Sequence, residues 1–349
     1  MTTLFLDLET ASAIPIDDGV HRYCDDVRIL LVASAFDNEP IHVSEWGEAI
    51  KLDLISNIHD VDQVMVHNAE FDFTILERND VHVPMHKRFC TMGQARAHGL
   101  PGALGKLSVI FKLGETEAKI KDGKRFINLF CKPQKDGTWF DKVTHPKEWA
   151  AFKNYAGHDV SAMRGLYRQM PKWNLELERP IWELDQVINA RGFYVDRDLA
   201  HHAVELLHRD SGRLDDRMAR GTVGEVTRGT QRDRLLAYLL AEYGVSLPDL
   251  GASTLERRLT DDDLPEAVKD LIRIRLEAAK TSTSKYSTLL RCVSNDGRMR
   301  GTLVYCGANR TKRWAATKFQ PHNLVRGNIP QEELELFIRA IKAEAWNLI

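Results

Sequence analysis

The sequence predicts an α/β domain followed by a mainly α-helical region with a short β-hairpin. Three observations support this fold class. Short apolar runs separated by turn residues fill the first part of the chain. Apolar residues at helical spacing dominate from about Pro180 to Arg291, and a turn signal at Asn295–Gly297 interrupts a strand-like segment. The length of 349 residues is enough for two or three domains of ordinary size.

Four strands and a helix are predicted in the first part. Leu4–Leu8 and Arg28–Phe36 are apolar runs typical of buried strands. Pro40–Trp46 alternates between apolar and polar residues and is predicted to pair with the second strand across a short polar turn. Gln63–His67 is a fourth apolar run, and a helical pattern over Glu70–Arg78 follows it.

The second part is predicted to consist of helices that each bury one apolar face. One such face holds Leu184, Val187 and Ile188. The change of pattern along the chain gives two predicted domains, residues 1–172 and 173–349.

Composition excludes several classes of protein. Lys and Arg number 48 against 50 Asp and Glu, so the chain is not uniformly basic, although a local basic patch is compatible with this balance. The N-terminus reaches Asp7 without a basic segment, and the longest apolar run, Ile29–Phe36, is too short to cross a bilayer. The five cysteines form no C-x-x-C pair, and the adjacent His201 and His202 cannot share one helical face. We therefore expect a cytoplasmic protein with no membrane partner and no zinc site.

Basic residues are concentrated late in the chain. Residues 291–326 hold eight Lys or Arg and one acid, and Tyr305, Trp314 and Phe319 are interspersed among them. Basic and aromatic side chains together suit phosphate contacts and base stacking. The segment therefore predicts contact with nucleic acid, and a solvated surface loop is the alternative.

Acidic side chains recur at predicted strand and helix ends. Asp7 and Glu9 lie at the end of the first apolar strand and point to the same side of it. Asp72 lies in the helix after the fourth strand, where Asn68 is placed to cap the helix and Phe71 to pack inward. Each feature alone also fits a solvated strand edge or an ordinary amphipathic helix start.

A third feature places a phenol and a carboxylate one helical turn apart. Tyr155 and Asp159 are separated by four residues in a helical pattern, so both lie on one face of that helix. Taken alone, this spacing also fits an aromatic and acidic pair on the surface.

In their order and setting, D-x-E at Asp7, N-x-x-F-D ending at Asp72 and Y-x-x-x-D at Tyr155 resemble the DEDD superfamily of 3′–5′ exonucleases, in its tyrosine-containing, proofreading branch. The resemblance covers about residues 1–170 and implies an RNase H-like fold. It also implies two divalent cations, Mg²⁺ or Mn²⁺, held by four carboxylates, since hard cations prefer oxygen ligands.

The resemblance further implies a role for each site residue. Asp7 would bridge the two cations, and Glu9 and Asp159 would complete the site that activates water. Asp72 would hold the second cation largely through water. Tyr155 would orient the attacking water rather than accept its proton, because an ordinary phenol is a poor base at neutral pH.

The second part is similar to the region after the proofreading domain in family A DNA polymerases, especially phage enzymes, where it forms the thumb and the first part of the palm. Three segments carry the similarity: Leu184–Asp196, Ile272–Tyr286, and a third made up of Gly297–Leu303, Tyr305–Trp314 and Gln320–Leu324. Two positions depart from the family pattern, since Lys312 replaces a glycine and Val325 replaces a proline.

This similarity implies DNA as partner, either a single-stranded 3′ end or a primer–template. The predicted substrate-binding residues are Asn68, Phe71, Lys280, Tyr286, Arg310, Arg313, Gln320 and Asn323. No motif resembling the catalytic acids of the polymerase palm follows, so this chain alone is not expected to polymerise DNA.

The predicted function is therefore a metal-dependent 3′–5′ exonuclease acting at DNA 3′ ends in the cytosol of a bacterium or a phage-infected cell. Two alternatives stay open at this point: an RNA 3′–5′ exonuclease of the same superfamily, and a DNA-binding polymerase fragment that does not polymerise. The sequence identifies no protein partner.

Overall fold

The computed structural model describes residues 1–114, 123–279, 284–324 and 327–345. Within them the chain divides into two compact units, and each is described by itself. Unit 1 comprises Met1–Val195 and Cys292–Asn323, and unit 2 comprises Asp196–Arg291 and Leu324–Ile349.

A mixed five-stranded sheet forms the centre of unit 1. Its strands are β1 (Thr3–Ala11), β2 (Arg28–Phe36), β3 (His42–Glu45), β4 (Gln63–Val66) and β5 (Arg88–Cys90). The strand order is β3-β2-β1-β4-β5. β1 and β3 pair antiparallel with β2, whereas β4 pairs parallel with both β1 and β5. The four strands predicted from the sequence are present, and β5 was not anticipated.

Helices cover both faces of this sheet. They are α1 (Val20–Tyr23), α2 (Glu48–Asp60), α3 (Ala69–Arg78), α4 (Thr91–Ala97), α5 (Leu104–Ile110), α6 (Gly123–Phe130), α7 (Pro146–Gln169) and α8 (Glu178–Arg191). Side chains alternate along β1, so Leu4 and Leu6 pack in the core with Phe73 of α3. Phe5 points to the other face and packs in a second core with Phe152 of α7.

Unit 1 extends past the predicted boundary after residue 172. Trp173 and Trp182 are buried, with ring centroids 5.2 Å apart, and they join the same core as Tyr305. These side chains attach α8 and the segment Cys292–Asn323 to the α/β domain.

The predicted buried face of α8 is wrong. Leu184, Val187 and Ile188 are exposed, whereas Asp185 and Asn189 are buried. The physical reason is a set of hydrogen bonds made by Asp185 and Asn189 that apolar side chains cannot make.

Two short antiparallel ladders complete unit 1. β6 (Phe193–Tyr194) pairs with β7 (Arg298–Met299), and β8 (Leu303–Ala308) pairs with β9 (Arg313–Ala316). The sequence predicts a hairpin turn at Asn295–Gly297, and the strand that follows this turn, β7, has its ladder with β6.

A tight turn does occur there, because the Gly297 N–H donates to the Ser294 carbonyl at 2.9 Å. Across this turn the Ser294 N–H also donates to the Arg298 carbonyl at 3.0 Å, and Arg298 and Met299 form their ladder with β6. Gly192 permits this pairing, since a Cβ at its φ of +57° would overlap the Met299 carbonyl. The short hairpin of the chain is formed by β8 and β9, within unit 1.

Unit 2 is helical, as the apolar spacing predicted. Its helices are α9 (Arg197–Gly221), α10 (Arg232–Tyr243), α11 (Ala252–Arg258), α12 (Glu266–Ala278), α13 (Ser284–Cys292, whose last residue belongs to unit 1) and α14 (Gln331–Lys342). Met218, Leu235, Leu239 and Ile272 are fully buried in its core. Among the described residues, no helix has the length and apolar character that crossing a membrane requires.

Candidate active site

The acids of β1 lie on the face of the sheet that α7 covers. Side-chain alternation puts Asp7 and Glu9 on the same face as Phe5, which packs with Phe152 of α7. Across the ladder, Asp7 pairs with Ala33 and Glu9 with Leu31, and both partners belong to the same core. The acids therefore stand within the strand, not at its end as the sequence suggested, because β1 continues to Ala11.

α7 brings a third carboxylate to the acids of β1. Each of Asp7, Glu9 and Asp159 offers an oxygen atom, and these atoms all lie within 4.8 Å of one another. Glu9 and Asp159 are buried, and Asp7 is partly exposed. Asp7 and Asp159 are far apart in the sequence, and they become neighbours in space because α7 packs on the sheet.

An open cleft of about 580 Å³ gives access to these carboxylates. Asp7, Glu9, Tyr155 and Asp159 line it together with Asn68 and Phe71, which the sequence singled out, and with Ile14, Ile127 and Lys132. A cleft of this size is in the range of small-molecule sites, and its wall is partly apolar.

A β-bulge lies directly beside the acids. The register between β1 and β2 shifts between Glu9 and Thr10. Bulges bend a strand and redirect its side chains, and they are frequent next to functional sites. Here the bulge is followed by Thr10 and Ser12, which both line the cleft.

Asp72 occupies a different position from the other three acids. It is 2% exposed on α3, and its carboxylate accepts backbone hydrogen bonds from Asn68 and from Leu8, the residue between the two acids of β1. Its Oδ1 is buried without a hydrogen-bond partner among the described residues. Burial raises the pKa of Asp72 well above its usual range, and the backbone hydrogen bonds oppose that rise.

The ring of Tyr155 packs against two other aromatic rings. Its ring lies 6.0 Å from that of Phe126 and 6.4 Å from that of Phe152, measured between centroids. On another side, Gly123 approaches so closely that an added Cβ would lie 2.7 Å from the hydroxyl oxygen of Tyr155.

The Tyr155 hydroxyl stays protonated in this environment. Burial is the main cause that raises its pKa, and the negative charges of Asp159, Glu9 and Asp7 and a hydrogen bond with Asp159 add to the rise. A neutral phenol beside carboxylates acts as a hydrogen-bond donor and keeps a lone pair for a further partner.

The donor set fits hard divalent cations. All its ligand atoms are carboxylate oxygens, which Mg²⁺ and Mn²⁺ prefer over nitrogen and sulfur. Three carboxylates this close repel one another unless a positive charge or a proton lies between them. The unpartnered Oδ1 of Asp72 provides a further oxygen of the same type.

The contacts of Asn68 differ from the sequence prediction. It precedes α3, but its side chain makes no capping hydrogen bond, and its carbonyl accepts the N–H groups of Phe71 and Asp72 instead. Asn68 and Phe71 are both partly exposed along the cleft. Phe71 also lies against Tyr23, with ring centroids 6.0 Å apart.

The other predicted substrate-binding residues of unit 1, namely Arg310, Arg313, Gln320 and Asn323, do not line this cleft. Arg310 and Arg313 are exposed in the β8–β9 hairpin. Gln320 and Asn323 are exposed and bond to each other, with the Asn323 amide donating to the Gln320 amide oxygen at 2.8 Å. Tyr286 is 38% exposed on α13. Lys280 lies outside the described residues.

Sequence reasoning missed several cleft residues. Thr10 and Tyr23 share a hydrogen bond of 2.8 Å between their hydroxyls, and Ser12 and Lys132 also face the cleft. Side-chain alternation along β1 would have put Thr10 and Ser12 on the face opposite the acids, and the bulge after Glu9, which brings them to the cleft, has no local sequence signal. Lys132 follows α6, and no local pattern connects it to β1.

Comparisons with known proteins agree with this architecture. No family model matches the chain. The chain is 32% identical over 355 aligned residues to a DNA polymerase of Bacillus phage SP02, covering 96% of this chain and 52% of that protein. It thus spans about half the length of the curated relative.

Among solved structures, the chain is similar to the POL domain of Pol1 from M. smegmatis, in complex with DNA primer-template and dNTP. The TM-score is 0.57 at 14% sequence identity, and the match covers 94% of this chain and 53% of that one. The structural similarity supports the mixed α/β fold. The chain is thus similar in sequence to a phage DNA polymerase and similar in fold to a solved polymerase domain.

Proposed function

We propose that the chain is a metal-dependent 3′–5′ exonuclease that releases mononucleotides from DNA 3′ ends. The observation that carries the proposal is the group of Asp7, Glu9 and Asp159, whose oxygens lie within 4.8 Å of one another at an open cleft. The strand order β3-β2-β1-β4-β5, with one antiparallel and one parallel neighbour of β1, supports an RNase H-like fold for this domain.

The four carboxylates have distinct parts in this proposal. Asp7, Glu9 and Asp159 would hold the cations directly, and Asp72, whose carboxylate is hydrogen-bonded to the Leu8 backbone, would hold the second cation largely through water. When bound, two divalent cations, Mg²⁺ or Mn²⁺, supply an activated water and relieve the negative charge at the phosphate. The chain itself sets the positions of the oxygens before substrate arrives, because one strand, β1, and two helices, α3 and α7, carry them.

Tyr155 is proposed to position the attacking water. Its hydroxyl donates to Asp159 and keeps one lone pair, which can accept a hydrogen bond from water. Because its pKa is raised, the phenol does not accept a proton at neutral pH. Its contribution is orientation, which the rings of Phe126 and Phe152 secure.

The cleft suits one terminal nucleotide. Its apolar side, with Phe71, Ile14 and Ile127, offers a surface for a base, and Asn68 and Lys132 offer donors for sugar and phosphate oxygens. This arrangement supports recognition of a single unpaired 3′ end, since a base inside a duplex is not free to stack on a side chain.

DNA is the proposed substrate on the strength of the comparisons. The phage relative is a DNA polymerase, and the mycobacterial domain was solved with a DNA primer-template. The exposed Arg310 and Arg313 are proposed to contact DNA phosphates, with Tyr286, Gln320, Asn323 and Lys280 as further contacts. The cytosol of a bacterium or a phage-infected cell is the proposed location.

A second function is favoured by the extent of the similarity. The alignment with the phage polymerase covers 96% of the chain, including unit 2, so a DNA-binding polymerase region that does not cleave is the alternative. The two functions differ in one property, namely whether DNA shortens when a divalent cation is present.

The test is digestion of an oligonucleotide labelled at its 3′ end and, separately, at its 5′ end. We expect label release from the 3′ end with Mg²⁺ or Mn²⁺, no release with a chelator, and slower release from the matched RNA. The Asp7→Asn variant is the control for a contaminating nuclease. DNA binding with no shortening of either labelled strand would leave the DNA-binding function in place of the exonuclease.

A further inference from the structure

A second group of metal-binding side chains lies in unit 2, independent of the proposed nuclease site. His202 and Glu205 are three residues apart on α9 and so share one face of that helix. Glu344 follows the end of α14 and reaches the same place. The three side chains each offer an atom within 4.8 Å of the others, and they are called the α9–α14 cluster below.

The imidazole of His202 is oriented as in metal-binding histidines. Its Nδ1 lies 2.9 Å from the carbonyl oxygen of Asp198, one turn earlier on α9. A carbonyl oxygen only accepts, so Nδ1 carries the proton in this bond and Nε2 of the neutral ring keeps its lone pair. Nε2 faces Glu344, with 3.7 Å to its carboxylate oxygen. In histidines that ligate metals, the ring nitrogen that does not bind the metal typically donates a hydrogen bond, as Nδ1 of His202 does here.

The carboxylates of Glu205 and Glu344 are not neutralised by basic side chains of the described residues. Within the described residues, neither Glu205 nor Glu344 has a Lys or Arg partner. The nearby Lys342 is engaged instead with Asp196 at 2.6 Å and with Asp198 at 3.7 Å. Two glutamates within 4.8 Å of each other and of an imidazole lone pair form an electron-rich group that a cation would stabilise.

We propose that the α9–α14 cluster binds a divalent transition-metal ion, Zn²⁺ in the first instance. One imidazole nitrogen and two carboxylate oxygens form a ligand set that suits Zn²⁺ better than Mg²⁺. Ligand atoms around a tetrahedral Zn²⁺ are roughly 3.4 Å apart. The cluster reaches that spacing by small side-chain rotations, because Glu205 and Glu344 are exposed.

The consequence of binding is a link between α9 and α14. The backbone of Glu344 is fixed by the turn that ends α14, where its N–H donates to the Ile341 carbonyl and the Ala345 N–H donates to the Ala340 carbonyl. An ion held by side chains of both elements therefore stabilises α14 against α9. No local sequence pattern indicates this site, because Glu344 is distant along the chain from His202.

The experiment uses the full chain with Asp7→Asn, which weakens cation binding at the acidic cleft. Zn²⁺ alone is titrated by calorimetry, Co²⁺ serves as a visible-absorption probe of tetrahedral coordination, and the thermal midpoint is measured with and without Zn²⁺. We expect one equivalent of Zn²⁺ to bind and to raise the midpoint. His202→Ala should weaken binding at least tenfold and abolish the rise.

Matched variants separate ligation from a general effect of mutation. His201→Ala removes the adjacent exposed histidine and should bind Zn²⁺ as the parent does, whereas Glu344→Gln should lose affinity as His202→Ala does. Circular dichroism checks that each variant is folded. Unchanged binding in both His202→Ala and Glu344→Gln, equal loss in His201→Ala, or no binding by the parent would overturn the proposal.

Discussion

A methyl group added at Gly123 tests the proposed role of Tyr155 without changing any polar atom. In Gly123→Ala the new Cβ would lie 2.7 Å from Cε2, Cζ and the hydroxyl oxygen of Tyr155, whereas ordinary contact begins at 3.4 Å. The tyrosine tip must therefore retreat by about 0.7 Å, and Phe126 and Phe152 limit the directions in which it can move.

The expected effect is on the rate of cleavage. A displacement approaching 1 Å in a group that orients a reactant costs about 100-fold in rate. We expect kcat for digestion of 3′-labelled DNA to fall by about that factor, with KM for DNA changed by less than about threefold, since Gly123 does not line the cleft. Single-turnover kinetics with saturating Mg²⁺ measures this.

Two controls make the reasoning refutable. Gly157→Ala lies on the same helix as Tyr155, and its new Cβ would meet Val43 at 3.4 Å, so it should keep nearly full activity. Tyr155→Phe should be as slow as Gly123→Ala, and the double variant should be no slower than Tyr155→Phe, because both act through one hydroxyl. Full activity of Gly123→Ala, or fully additive losses in the double variant, would refute this account of Tyr155.

Three further outcomes are expected. Asp7→Asn should abolish cleavage but leave the apo-protein's thermal midpoint unchanged or higher, because it relieves repulsion among the three carboxylates; a lower midpoint in differential scanning calorimetry would count against this. Arg310→Ala with Arg313→Ala should weaken DNA affinity and reduce the slope of log affinity against log salt by about two in fluorescence anisotropy; an unchanged slope would remove both residues from the interface. Burial raises the pKa of Asp185 to about 6, so the folded state binds more protons than the unfolded one and loses stability as pH rises from about 4 to above 6. In urea unfolding, Asp185→Asn should reduce this pH-dependent loss of unfolding free energy by about 3 kcal/mol. Equal pH dependence of the unfolding free energy in the parent and the variant would show that Asp185 does not cause the loss.

The sheet of unit 1 was predictable because most of its strands are apolar runs. Such a run predicts a buried strand even when the strand that pairs with it is not known. β1 and β4 are buried on both faces and β2 is buried on one face, so apolar runs mark all three. β5 is only three residues long, Arg88–Cys90, and too short to give a pattern. Three of the four predicted acids gather at one place, and the roles assigned to all of them stay predictions.

The buried face of α8 was predicted wrongly because hydrophobicity was the only criterion. The Asn189 amide donates to the Leu303 carbonyl and its oxygen accepts the Leu303 N–H, at 3.1 and 3.0 Å. Asp185 accepts the indole N–H of Trp314 at 2.7 Å. The backbone of Leu303 and the indole would lose these partners if the apolar face of α8 turned inward, and each unpaired group costs about 1–3 kcal/mol. Satisfying polar groups therefore outweighs burying Leu184, Val187 and Ile188.

The difference between local patterns and contacts between separate elements also explains which parts of the candidate site can be predicted from the sequence. Alternation along β1 gives the direction of Asp7 and Glu9, and helical spacing gives the shared face of Tyr155 and Asp159, since both are local properties of one element. The closeness of Gly123 to the Tyr155 hydroxyl depends on how α6 packs against α7, and glycine leaves no side-chain signal of that contact. Local patterns can therefore propose which groups react, whereas the residues that fix their positions become visible only when the packing of separate elements is known.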